Sequence, residues 1–197
     1  MTIADPKQTL VDYLQQARDA MVWKLEGLGE HDARRPLTPT GTNLLGLVKH
    51  LAGVELGYFG ETFGRPSGTD LPWYADGADP NDDLFATPDE SRAWVVDLYR
   101  RAWAHAAVTI DELELDSGGH VPHWGGQAVT LHQILVHVLA ETQRHAGHAD
   151  IVRETIDGAA GRRPSDPNID DGYDWPGHVA RVERAARRAG ESHADSA

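Results

Sequence analysis

Residues Thr130–Asp157 read TLHQILVHVLAETQRHAGHADIVRETID. Leu131, Ile134, Leu135, Val138, Ala149 and Val152 recur at helical spacing, which turns one face of a long helix inward. Between Val138 and Ala149 that stripe continues through Glu141, His145 and His148. Glu141 and His145 are four residues apart, so they stack on the same face. A bare carboxylate on a core stripe is costly unless something pairs it. A divalent metal satisfies a carboxylate and an imidazole together. The segment that decides the fold is therefore also where chemistry is expected.

Three more helices are legible upstream. Asp5-Pro6 supplies an N-cap and a first-turn proline. Leu10, Tyr13, Leu14, Ala17, Met21, Leu25 and Leu28 follow at helical spacing, and Gly27 and Gly29 mark the end. A loop through RRPLTPTGT leads to a second helix from Thr42 to Phe63, with the stripe Leu47, Leu51, Val54 and Tyr58. His50 shares that inward face. Gly46, Gly53, Gly57 and Gly60 make this helix intrinsically weak, so packing must hold it, and they admit close approach by a neighbour. Thr87-Pro88-Asp89-Glu90 reads as a capping box that opens a third helix running to Leu113.

Residues 64–86, GRPSGTDLPWYADGADPNDDLFA, form a long loop rich in Pro, Gly and Asp. Trp73 and Tyr74 indicate a crossover pinned to the surface, a reading preferred over a substrate lid. ELDSGGHVPHWGGQAVT, before Thr130, suggests a short irregular or β-like excursion. The tail from Gly158 reads as loop, with a short basic helix over His178–Arg188 and a frayed end over GESHADSA. The pattern is all-α: a four-helix bundle with one long crossover and an irregular C-terminal tail. We place the bundle at residues 1–160 and the extension at 161–197.

With 197 residues, 40% hydrophobic and 25% charged, the chain is long enough for one well-cored domain. Its formal net charge of -13 argues against a general nucleic-acid binder and against adhesion to anionic membranes. No apolar run is long enough to span a bilayer, and MTIADPKQTLVDYL does not resemble a signal peptide. The chain has no cysteine. Disulfides, thiolate ligands and a cysteine nucleophile are thereby excluded, and any thiol in the chemistry must come from outside. A cytoplasmic location is expected.

Metal sites in bundles are built from inward side chains on facing helices. His50, Glu141 and His145 are the expected set, and three protein ligands leave an open position, as in catalytic rather than structural zinc sites. The residues leave an alternative: His145 and His148 as the pair, with Glu141 as a neighbouring base. His137, also four residues from Glu141, is a weaker candidate. His120 and His123, beside Trp124, either line the mouth of a pocket or are exposed. His31, His105, His178 and His193 carry no spacing signal.

The segment LLGLVKHLAGVELGYFGETFGRP (44–66), followed by LHQILVHVLAETQRHAGHADIVRETIDG (131–158), resembles the DinB-like superfamily. The likeness is closest to an actinobacterial branch that includes mycothiol-dependent enzymes. It implies a four-helix bundle with a divalent metal, often zinc or nickel, on three residues. In the mycothiol-dependent maleylpyruvate isomerases the pattern is a second-helix His with a Glu-x-x-x-His pair, which falls on His50, Glu141 and His145. His148 then moves to an outer or substrate-contacting role. The chain lacks the isomerases' substantial second domain, so isomerisation does not carry over.

The resemblance implies a metal-dependent thiol S-transferase using mycothiol or bacillithiol against an electrophilic small molecule, with His148 the candidate catalytic residue. Zinc is the preferred metal; nickel, iron and manganese suit the same ligands. The alternatives are a metal-dependent hydrolase, for which Glu55 is the only nearby base and is expected to face solvent, or a non-catalytic metal-binding bundle. A homodimer is a reasonable expectation.

Overall fold

The computed structural model describes residues 5–194, with side chains to 191. Asp5 caps helix α1 (Pro6–Trp23), its carboxylate accepting from the Lys7 amide. After a turn, a short helix α2 (Glu30–Arg34) occupies part of the expected loop. Asn43 caps α3 (Leu44–Glu55) by accepting from the Gly46 amide. The same rod continues through a π-turn at Leu56–Gly60 and a 3-10 turn at Glu61–Phe63, so its extent matches the expectation while its hydrogen-bond register changes at Leu56.

Helix α4 (Arg92–Glu112) starts later than the capping box suggested, with Ser91 as its cap. The Glu90 carboxylate does accept from the Thr87 amide (2.7 Å). It also accepts from the buried Lys49 ammonium (2.9 Å), and the motif closes a turn at the end of the crossover instead of opening a helix. Strands β1 (Gly118–Val121) and β2 (Gln127–Thr130) pair antiparallel as the β-like excursion. Thr130 then caps α5 (Leu131–Asp157), and Gly158, at φ 81°, stops it in a left-handed turn.

Helices α1, α3, α4 and α5 form the bundle, with α3 against α4, α1 against α5, and α3 and α5 facing each other. One apolar cluster gathers Leu44, Leu45, Leu51, Leu98 and Tyr99; a second gathers Phe59, Ile110, Leu131, Ile134 and Leu135. Tyr13, expected on the inner stripe of α1, is exposed. Helix α3 is central: every residue in it is buried except His50, which is only partly so. A single inward stripe therefore understates this helix.

Glu55 is a correction. It is fully buried rather than solvent-facing, and its carboxylate takes both Nε and Nη2 of the buried Arg18 on α1 (2.8 and 2.5 Å). Burial pushes the Glu55 carboxyl up, and the Arg18 charge opposes it. The three lysines are all structural ties. Lys7 Nζ donates to the Leu113 carbonyl beyond α4 (2.7 Å). Lys24 is buried against Asp150 (2.5 Å) and the Gly161 carbonyl. Lys49 Nζ lies over the Trp73 ring.

By its internal contacts the chain forms one unit up to Pro167 and another from Asn168, past the expected boundary at 160. The second unit is more helical than expected: α6 runs Trp175–Ala194 rather than over His178–Arg188 alone. Asp174 supplies the start, its carboxylate accepting from the Gly177 amide (3.0 Å). Of the stretch expected to fray, residues 190–194 are helical and 195–197 lie outside the described residues. Among the described residues, no helix is long and apolar enough to cross a membrane.

Candidate metal centre

Helices α3 and α5 bring His50, Glu141 and His145 together: one donor atom from each lies within 4.8 Å of the others. His145 Nε2 is 2.9 Å from Glu141 Oε1, and His50 Nε2 is 3.7 Å from the same oxygen. The two imidazoles meet edge to face, with ring centroids 4.9 Å apart. Burial alone would raise the Glu141 carboxyl, but the His145 and His50 rings outweigh it and hold it below the usual carboxylate range. His145 is pushed down, first by burial and then by the neighbouring His50. Near neutral pH the set therefore offers a carboxylate and an uncharged His145 ring, and a divalent cation takes the place of the proton between them.

The other candidates fall outside this cluster. His148 is exposed, its Nδ1 3.4 Å from Nδ1 of His145, on the far side of that ring from Glu141. His137 packs edge to face on Tyr58 and Trp124. His123 is exposed and places Nε2 3.0 Å from the Tyr58 hydroxyl. His120 is exposed on β1.

One residue of the site had no signal in the helical patterns. Asp83, in the crossover, places Oδ2 2.6 Å from His50 Nδ1 and accepts from the Tyr74 hydroxyl (3.3 Å). Burial would raise the Asp83 carboxyl, but the His50 contact outweighs it and holds it below the usual range. An ionised carboxylate only accepts hydrogen bonds. In the neutral ring Nδ1 is therefore the donor to Asp83, which leaves Nε2, 3.7 Å from Glu141 Oε1, as the nitrogen with the lone pair. Trp73 is buried and packs into the core cluster, so the crossover is pinned as its aromatics suggested.

A family model described as Mycothiol-S-transferase matches residues 9–158, most of the chain. The chain belongs to the mycothiol S-transferase family. The likeness drawn from the two helical segments to a mycothiol-using branch is thereby borne out. The match begins within the first turn of α1 and ends one residue past α5, so it takes in nearly all of the four bundle helices and both faces of the candidate centre. No curated protein matches the chain. Among solved structures, YfiT from Bacillus subtilis is described as a probable metal-dependent hydrolase with an unusual four-helix bundle topology. It aligns at a TM-score of 0.49 and 18% identity, over 79% of this chain and 90% of its own.

Proposed function

We propose that this mycothiol S-transferase family member joins a low-molecular-weight thiol, mycothiol first and bacillithiol second, to an electrophilic small molecule, with a divalent cation held by His50, Glu141 and His145. The observation that carries this reading is the convergence of two imidazoles and one carboxylate, from two facing helices, in a chain of this family. The bound cation, zinc by preference, supplies positive charge that favours the thiolate form of a coordinating thiol. Glu141 contributes one negative charge to the site. Asp83 holds the His50 ring. His148, exposed beside His145 with the two Nδ1 atoms 3.4 Å apart, is the side chain we assign to contact with bound substrate. The thiol proton leaves to solvent at the open rim, the sulfur–carbon bond forms, and the leaving group departs with the electron pair of the broken bond.

Hydrolysis is less well supported by the residues around the site. A water nucleophile needs a general base within reach. Glu55 is locked to Arg18, and Asp83 is engaged by His50. The absence of cysteine from the chain also suits a reaction whose thiol arrives as a substrate.

The test is fluorescence of monochlorobimane mixed with mycothiol and zinc-loaded protein. Wild type should conjugate the dye in a metal-dependent way. Glu141→Ala should weaken metal binding by at least about 100-fold, more than loss of an outer partner costs, and conjugation should fall with it. Unchanged metal content in that variant would remove Glu141 from the site. No metal-dependent conjugation with either thiol would overturn the transferase reading.

A further inference from the structure

Helix α3 carries glycine on both sides of His50, four residues before it at Gly46 and three after it at Gly53. These positions share one face of the helix, and the crossover lies directly on it. A Cβ at Gly46 would stand 1.8 Å from the Leu84 carbonyl oxygen. At Gly53 it would stand 2.5 Å from the Tyr74 hydroxyl. The backbone of α3 is thus bare where the crossover touches it, and Asp83 meets His50 between the two contacts. The segment is also tied around Asp83: Lys49 Nζ donates to the Asp82 and Phe85 carbonyls (2.9 and 3.0 Å), and Asn43 Nδ2 donates to Leu84 O (3.0 Å).

We infer that the crossover is a built part of the metal site, in which Gly46 and Gly53 admit the segment so that Asp83 can fix the His50 ring with its Nε2 lone pair facing Glu141 and His145. Asp83 is a positioning residue: it acts through His50 and touches no other member of the triad in the contacts described above. Histidines that ligate metals commonly donate their other ring proton to a carboxylate, which fixes the tautomer and raises ligand basicity. Here the carboxylate comes from neither facing helix. It comes from the loop that joins α3 to α4, and the helix sequence is cut back to glycine to receive it. The inference rests on the metal reading proposed above.

The test is zinc affinity by chelator competition on full-length variants, beside ¹⁵N NMR of the His50 ring in metal-free protein at mildly alkaline pH. Asp83→Ala should weaken zinc binding about 10- to 100-fold and release the His50 tautomer preference. Asp83→Asn, whose side-chain carbonyl still accepts from Nδ1, should keep the tautomer and lose less. Gly46→Ala would ordinarily strengthen a helix, yet it should weaken zinc binding because it drives the Leu84 backbone outward. Gly57→Ala, where a Cβ meets nothing within 4 Å, should leave zinc affinity unchanged. His50→Ala separates the two claims. If it weakens binding while Asp83→Ala and Gly46→Ala do not, the positioning role is overturned and the ligand set stands. If His50→Ala retains full affinity, the ligand set falls and the positioning role falls with it.

Discussion

Arg18 and Glu55 form a two-point ion pair that is out of contact with water, its side chains 4% and 0% exposed. Removing one partner of such a pair leaves an uncompensated buried charge, at about 3–5 kcal/mol. Glu55→Ala should therefore lower the melting temperature by at least about 6 °C, taking about 2–4 °C per kcal/mol for a chain of this size. The paired replacement Arg18→Met with Glu55→Met should recover much of that loss, since apolar side chains of similar volume often match a buried ion pair. Thermal melts of Glu55→Ala and of the double variant decide it; a double variant no better than Glu55→Ala would show that the pair does more than neutralise itself. The sequence misled at Glu55 for a definite reason. A charged residue beside an apolar stripe is usually solvated, and its partner lies on another helix at a spacing no local pattern encodes. His50, Glu141 and His145 were legible because each broke an apolar stripe. Asp83 was not, because acidic residues are ordinary in a loop; the signal lay instead in the glycines flanking His50.

At the scale of elements, helix ends decided by local chemistry were readable: Asp5, Thr130 and Gly158 each cap a helix where the sequence placed them. Ends decided by tertiary partners were not. Glu90 is claimed by Lys49 from α3, which shifts the start of α4 to Arg92. The last turn of α5 shows the same interplay. Arg153 donates to the Lys24 and Glu26 carbonyls just beyond α1 (2.8 and 2.9 Å), and Asp157 holds the guanidinium through both of its oxygens. The hydrogen bonds from Arg153 hold the Asp157 carboxyl below the usual range. A carboxylate with a lowered folded pKa contributes stability that is complete above the unfolded value and is lost as pH falls through the folded one. The ordinary Asp value is 3.8. Asp157→Asn should therefore be less stable than wild type at neutral pH, and the gap should close below about pH 4. Because Asp157 is partly exposed, the gap is about 0.5 kcal/mol, or about 1–2 °C in melting temperature. Urea or thermal unfolding of both proteins from pH 7 to pH 3 measures it; a gap that widens toward acid would reverse the sign assigned to this pair.

At the scale of the molecule, the family match stops at residue 158, but the ties that close the bundle do not. The Gly161 carbonyl accepts from the buried Lys24, and the Gly161 amide donates to Asp150 (2.6 Å). The Asp150 carboxylate also accepts from Lys24, so one chain position beyond α5 completes the surroundings of a charge that is almost fully buried. Arg162 and Asp166 then close the turn, with the Arg162 amide donating to Asp166 O (3.1 Å) and its guanidinium to the Asp166 carboxylate. A cut after Gly158 would strip the buried Lys24 of one acceptor and Asp150 of one donor while leaving their ion pair in place, and a hydrogen bond lost to a charged group costs about 1.5–3 kcal/mol. We therefore expect a chain ending at Gly158 to lose about 1.5–3 kcal/mol. A chain ending at Pro167 keeps every tie named for the bundle, and should melt cooperatively and bind zinc like the full protein. Paired truncations, read by thermal melting and zinc titration, test where the bundle ends. Equal stability of the two would mean that the Gly161 contacts contribute little, while instability of both would assign residues 168–197 a part in holding the bundle.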